Sequence, residues 1–268
     1  MGRVEKTIYW TGNAAKSRII GRILDRLGPL NQGLVFDYGC GRAAYWPQVL
    51  ADFPGLSLAF FDPDQENMAA AIDNLSGLAA RPLADPDQEP PLAADYVVSL
   101  SVLEHVFDRR AYLSLAWKHL IPGGLLFLNY DDGHFRNRLD LNRPWESKDQ
   151  IKELLINLLA RPLAALGLKR RYQRRVTRVE ARELALGAGF RVEDEFYSNL
   201  SSLKGFHSEL EGPGWNEESR QEFARAWQAL EELLNRRYLR QGPRPRLGDP
   251  ANLWAHMLSR TLILRRPD

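Results

Sequence analysis

A single cysteine, Cys40, stands in a chain of 268 residues. With no second thiol there is no internal disulfide, so a stapled secreted framework is excluded and a reducing compartment fits. Long apolar runs are missing as well. No stretch reaches the roughly 18 residues of a membrane span. Met1 to Trp10 carries charges without an apolar segment, so no signal peptide is expected. Lys6 occupies the position where a myristoylation signal needs Ser or Thr. Nor is there an excess of either charge: 36 Lys and Arg face 34 Asp and Glu, a formal net charge of +2. That balance gives no reason to expect nucleic acid as a partner. Repeats and low-complexity tracts are absent. The expectation is a cytoplasmic globular protein with no transmembrane segment.

What is present is enough for a substantial core: 44% apolar residues and seven tryptophans. The length suits one large domain, or one domain carrying an insertion. Apolar spacing predicts a helix over Ala14 to Leu27, stopped by Gly28, and a buried strand over Gly33 to Phe36. After a glycine turn, a helix is expected up to Ala51. There follow a strand at Leu56 to Phe61, a helix at Gln65 to Leu75, a short strand at Arg81 to Ala84 and a loop running from Asp85 to Pro91. Then come a strand at Tyr96 to Leu100, a helix at Leu103 to His119, a Pro122-Gly123-Gly124 turn and a strand at Leu125 to Tyr130. Alternation of this kind points to right-handed crossovers and a parallel sheet. Further on, Val179 to Leu186 reads as a helix, Phe190 to Tyr197 as a strand and Leu258 to Leu264 as a last strand. Two stretches, 131–175 and 201–252, break the pattern and read as helical insertions into one domain spanning 1–268.

The densest chemistry lies in Leu34 to Gly41, where an apolar strand meets Asp37 and then opens into Gly39-Cys40-Gly41. Glycines there allow a tight turn and close approach to a ligand. A carboxylate so near the turn disfavours a pyrophosphate and suits a ligand with positive charge or hydrogen-bond donors. A dinucleotide turn would also want glycine where Ala44 stands.

These residues resemble motif I of the class I S-adenosylmethionine-dependent methyltransferases, acid-x-Gly-x-Gly-x-Gly, with Ala43 in place of the third glycine. Other pieces follow in order. Asp62 ends the second strand, where an acid accepts from both ribose hydroxyls. Asp95 to Val98 with Leu103-Glu104-His105 resembles the fourth strand and its continuation, and Leu120 to Gly124 resembles the Leu-x-Pro-Gly-Gly turn. Asp62 also admits a plainer reading as a helix cap, His105 as a packed histidine, and Cys40 as a small buried residue.

The resemblance implies a Rossmann-like, doubly wound α/β fold with a mostly parallel seven-stranded sheet, and S-adenosyl-L-methionine as cofactor. It implies cofactor binding by Asp37, Gly39, Gly41, Asp62 and Asp85 (Asp87 being the alternative to the last), by Leu100, and by Lys16 or Arg18 at the methionine carboxylate. His105 is its candidate general base. Some quinone-biosynthesis relatives hold a metal with Glu-x-x-Glu-His; here Ser101 replaces the first acid, so no metal is expected.

The acceptor is expected to be a small or medium-sized molecule under a cover formed by the 131–175 insertion. Tyr130, His134 and Trp145 would supply aromatic or ring contacts, and Arg136 would hold an anion. That combination suits an aromatic or sugar-like body with a carboxylate or phosphate. Two alternatives stay open: a cofactor-binding protein without transferase activity, and a nucleic-acid methyltransferase using the basic run Lys169 to Arg175. Against the latter, Ser99 to Leu103 lacks the Asn/Asp-Pro-Pro-aromatic motif of amino-methylating DNA enzymes, and a solvated basic face explains the run.

Overall fold

A computed structural model describes residues 32–131, 176, 178–200 and 257–268, with scattered positions between 214 and 233. Within them the chain runs β1 (Gln32–Tyr38), α1 (Trp46–Asp52), β2 (Gly55–Phe61), α2 (Gln65–Asn74), β3 (Ala80–Pro82) and β4 (Ala94–Leu100). A single 3₁₀ turn (Leu103–His105) leads into α3 (Arg109–His119) and β5 (Leu120–Asp131). The described part closes with α4 (Arg178–Gly187), β6 (Arg191–Leu200) and β7 (Met257–Arg265).

The strands form one seven-stranded sheet in the order β3-β2-β1-β4-β5-β7-β6. β1 pairs in parallel with β2 and β4, β2 with β3, and β4 with β5. β7 lies antiparallel between β5 and β6. The chain therefore winds outward in one direction from β1 and then in the other from β4, which is the doubly wound plan. Ligands of such sheets bind beyond the carboxyl ends of the strands at the reversal point, here between β1 and β4.

Central strands of such a sheet are buried on both faces, which is why they read as continuous apolar runs. Adjacent residues fall into different cores. Val35, Val98 and Phe127 pack with Trp46 and Leu50 of α1 on one face. Phe36, Val97 and Leu126 pack with Leu113 and Ala116 of α3 and with Ala181 and Ala185 of α4 on the other. That alternation follows from the two-residue period of a strand.

Three expectations are corrected in detail. The first crossover helix starts only at Trp46, because Gly39 to Tyr45 are spent on the turn. The helix expected from Leu103 is divided. Val106 is extended (φ −85°, ψ 130°), and α3 begins after Asp108, whose side chain accepts from Ala111 N–H. The Pro122-Gly123-Gly124 turn lies inside β5: pairing with β4 runs from Ala94↔Leu120 to Tyr96↔Leu125, so Ile121 to Gly124 bulge out of that ladder. Among the described residues no helix is long and apolar enough to cross a membrane.

Candidate functional site

The glycine turn joins β1 to α1 at the reversal point. Gly39 (φ +94°) and Gly41 (φ +56°) take backbone angles that L side chains resist, and Ala43 (φ +52°) does so as well. The position where a third glycine is common is thus left-handed here too, held by alanine. The two glycines serve different ends. A Cβ on Gly39 would stand 2.5 Å from Val102 Cγ2, so this glycine lets the post-β4 segment pack against the turn. A Cβ on Gly41 would meet nothing within 4 Å, so this glycine borders open space.

The N–H groups of the two glycines and of Cys40 are already engaged. Those of Gly39 and Cys40 donate to the Phe61 carbonyl at 2.8 and 3.0 Å, and that of Gly41 donates to Asp62 Oδ2 at 2.8 Å. A phosphate-cradling loop points such groups at its anion. This one gives them to the end of β2. The cap reading of Asp62 is also resolved: α2 is capped by Asp64, which accepts from Glu66 and Asn67 N–H. Half-buried Asp62 instead braces the turn, while its Oδ1 accepts from Asp64 N–H and from Asn67 Nδ2.

Asp37 is fully buried on the α1 face of the sheet. Its Oδ2 accepts from the Tyr45 hydroxyl at 2.7 Å and from the Trp46 indole N–H at 2.5 Å. Burial, and then the Asp37 charge, push the Tyr45 phenol well above its ordinary range, so it stays a donor. The sequence reading missed Tyr45 and Trp46. Their signal was two ring donors within reach of an acid that ends a buried strand. Cys40 is buried beside them, with its thiol donating to the Gly41 carbonyl at 3.2 Å.

The other face carries a stack of rings. Tyr38 lies 4.1 Å from Tyr112, nearly parallel, and 5.3 Å from Phe36. The Tyr112 hydroxyl donates to the Tyr38 carbonyl at 2.7 Å and lies 2.8 Å from the Ser99 hydroxyl. Burial, followed by the nearby charges of Asp87 and Asp85, raises the Tyr38 phenol above its usual value. The loop after β3 therefore brings both acids close to the end of β1. Exposed Asp85 accepts from Asp87 N–H at 3.0 Å, a local turn that sets its carboxylate.

Two residues at the end of α3 hold that loop, and the sequence reading overlooked both. Lys118 Nζ donates to the carbonyls of Asp87 and Glu89 at 2.9 and 2.8 Å. Fully buried His119 accepts from Leu92 N–H at Nδ1 (3.2 Å) and sits 2.9 Å from the Pro86 carbonyl at Nε2. A carbonyl can only accept, so the proton rides on Nε2. A cation at a helix C-terminus also suits the helix dipole.

After β4, Leu103 and Glu104 are buried and His105 is exposed. Buried Arg109 fastens this turn, with Nε donating to the Leu103 carbonyl at 3.0 Å and Nη1 paired with Glu180 at 2.6 Å. Leu100 is buried in the first core, so any contact it makes with a ligand comes from its backbone. Tyr130, read as a wall of an acceptor site, is fully buried in the second core. Lys16, Arg18, His134, Arg136 and Trp145 lie outside the described residues, as do the basic run 169–175 and nearly all of both insertions. Among the described residues no three metal-ligating side chains come together. Asp37, Gly39, Gly41, Asp62, Asp85, Leu100 and His105 are thus gathered at one sheet end.

A family model described as a methyltransferase domain matches residues 13–195. No curated protein sequence matches the chain. Its fold is similar to that of the Haemonchus contortus phosphoethanolamine N-methyltransferase 2 solved with S-adenosyl-L-methionine (16% identity, TM-score 0.56). That alignment covers 98% of this chain and 59% of the other, so the chain spans about three-fifths of that relative's length. A cyclopropane synthase of Mycobacterium tuberculosis is similar at 20% identity and TM-score 0.56, covering 98% of this chain and 87% of that one. The cyclase SpnF is similar at 16% identity and TM-score 0.55, covering 99% and 86%. At these identities the likeness concerns the fold.

Proposed function

The chain belongs to the methyltransferase-domain family, in the class I fold of the S-adenosylmethionine-dependent enzymes, and on that premise we propose that it transfers a methyl group from S-adenosylmethionine to a small-molecule acceptor. The observation that carries this reading is the glycine turn. The N–H groups of Gly39, Cys40 and Gly41 are engaged by Phe61 and Asp62 rather than turned outward as in a pyrophosphate cradle, while Gly41 opens onto space. A cationic ligand with ribose hydroxyls fits that mouth, flanked by the Asp62 carboxylate, better than a dinucleotide does.

In this reading Asp62 takes the ribose. Each carboxylate oxygen has two lone pairs, so bracing the turn does not exhaust it. Asp85, held by its own turn and by the Lys118 grip, meets the adenine amino group, and Lys16 meets the methionine carboxylate. When bound, the cofactor would supply a methyl carbon already activated by its sulfonium, with a sulfur leaving group able to keep the electron pair of the bond to carbon. The protein's main work is then alignment, which is worth several powers of ten. His105, exposed beyond β4, takes the acceptor's proton and passes it to water, a gain of about 10² to 10⁴. The segment 131–175 covers the acceptor.

A second reading is a protein of this fold with another activity, since the fold is shared with a cyclase. Calorimetry and labelling together separate the two. S-adenosylmethionine and S-adenosylhomocysteine should both bind while a nicotinamide dinucleotide should not, and label from the methyl group should appear in a small molecule. In His105→Asn turnover should fall at nearly unchanged cofactor affinity. Dinucleotide binding without S-adenosylhomocysteine binding would sink the assignment; binding without transfer would favour the second reading.

A further inference from the structure

Ser101 is an exposed residue in a left-handed conformation (φ +58°), one of three such non-glycine residues among those described. It follows β4 directly. Its neighbour Val102 packs on Gly39, so Ser101 stands beside the glycine turn. On its other side lies β5: Ser101 N–H donates to the Asn129 carbonyl at 3.0 Å. Strain of this kind in a non-glycine residue persists where the surroundings impose it.

The side chain is oriented by a relay that starts three strands away from the turn. Asn129 Nδ2 lies 3.0 Å from the Arg260 carbonyl and 2.9 Å from Thr261 Oγ1 on β7. A carbonyl only accepts, so the nitrogen end of the Asn129 amide must face β7 and the oxygen end must face β4. There Oδ1 stands 3.4 Å from Ser101 Oγ, a long hydrogen bond in which the serine is the sole possible donor. With its proton turned toward Asn129, the Ser101 hydroxyl offers lone pairs to whatever occupies the mouth.

Resting on the transferase reading, we infer that Ser101 binds the methyl acceptor through an N–H or O–H of its nucleophilic atom, with Asn129 as the residue that positions the hydroxyl. The acceptor is then an alcohol, a phenol, or a primary or secondary amine. A carbon nucleophile or a tertiary amine has no hydrogen to give. While the N–H or O–H points at Ser101, another lone pair of the same atom faces the methyl carbon. In an amine the hydrogen held by Ser101 stays in place until the new ammonium sheds a proton to His105 and on to water. In an alcohol or phenol the single hydrogen is held by Ser101 as the acceptor seats, and passes to His105, then to water, as the methyl bond forms. Ser101 keeps its own proton throughout.

The test uses the full chain, S-adenosylmethionine with an isotope-labelled methyl group, and three sets of probes. These are phosphoethanolamine and sarcosine, 4-hydroxybenzoate, and the small-molecule fraction of a cell extract. Ser101→Gly is the informative variant, because glycine accepts the positive φ and so removes the hydroxyl without disturbing the backbone. The expected result is label on a nitrogen or oxygen that carried hydrogen. With that acceptor, Ser101→Gly should lower kcat/KM by about tenfold or more at unchanged S-adenosylhomocysteine affinity and an undiminished melting temperature. Label on carbon or on a tertiary amine, or full activity in Ser101→Gly, would overturn the inference and leave the transferase reading standing. Binding of S-adenosylhomocysteine with no labelled product from any probe would instead count against the transferase reading, and this inference with it.

Discussion

Asp62 Oδ2 accepts the Gly41 N–H at 2.8 Å, so the acid that ends β2 shapes the turn that ends β1. On the proposed reading, fold and binding are therefore coupled at this carboxylate. Asp62→Ala should weaken S-adenosylhomocysteine binding by about 1.5–3 kcal/mol, the range for a hydrogen bond to a charged group. It should also lower stability, because Gly41 and Asp64 N–H lose their acceptor. Asp62→Asn, which keeps one acceptor oxygen, should recover much of the stability and less of the affinity. Calorimetry beside thermal melting checks both, and equal affinity in all three proteins would refute the role.

Gly39 is constrained by packing. A Cβ there would press on Val102 and would also sit at a positive φ, together about 2–4 kcal/mol. Trimming the neighbour should relieve the first part only. Gly39→Ala combined with Val102→Ala should thus be more stable than the sum of the single changes by about 1 kcal/mol or more, a coupling that a double-mutant cycle in urea measures. Strict additivity would show that the two do not meet.

Ala43, buried at φ +52°, tests the turn from the other side. Glycine would relieve about 1–2 kcal/mol of backbone strain. It would also lose a buried methyl worth about 0.8 kcal/mol and free the unfolded chain by about 0.4–1 kcal/mol. These nearly cancel, so Ala43→Gly should change stability by less than about 1 kcal/mol. Ala43→Val should cost more than about 2 kcal/mol, because a β-branched residue at positive φ is strained and the site is closed. Equilibrium unfolding in urea decides, and a valine variant as stable as the parent would contradict the left-handed turn.

His119 ties acid sensitivity to the loop after β3. Burial, the largest influence, lowers its pKa below the ordinary 6.5, so the folded protein takes up the proton less readily than the unfolded chain. Its contribution is therefore intact above pH 6.5 and is lost as pH falls below that value. Protonation at Nδ1 would set two donors against each other, since Leu92 N–H already points there. Stability at pH 5.5 should drop relative to pH 7.5, and the drop should shrink in His119→Gln (pH values chosen to bracket the ordinary imidazole range, roughly 6.5). An identical pH dependence in both proteins would exclude His119 as the source.

Much of this was legible in the residues. Strand β1, the Gly39–Gly41 turn and Asp62 could be read because a glycine turn after a short apolar run is a local property, set by backbone sterics. The helix expected over Leu103 to His119 was misread at its start, where apolar spacing continues but Asp108 offers a better cap than the residues before it. Tyr130 shares a face with Leu128 and so points into the second core, a facing that depends on what covers that side of β5.

The order of acids, glycines and apolar runs by itself determined a parallel α/β sheet with a glycine turn beyond β1. Each of these follows from periodicity, turn chemistry and the handedness of crossovers. Only the tertiary structure decided that Asp37 turns inward to Tyr45 and Trp46, that Lys118 and His119 grip the Asp85 loop, and that Arg260 orients Asn129 toward Ser101. The last two contacts join segments far apart in the chain. Such partners are chosen by which strands become neighbours, and strand order is settled when the two cores close.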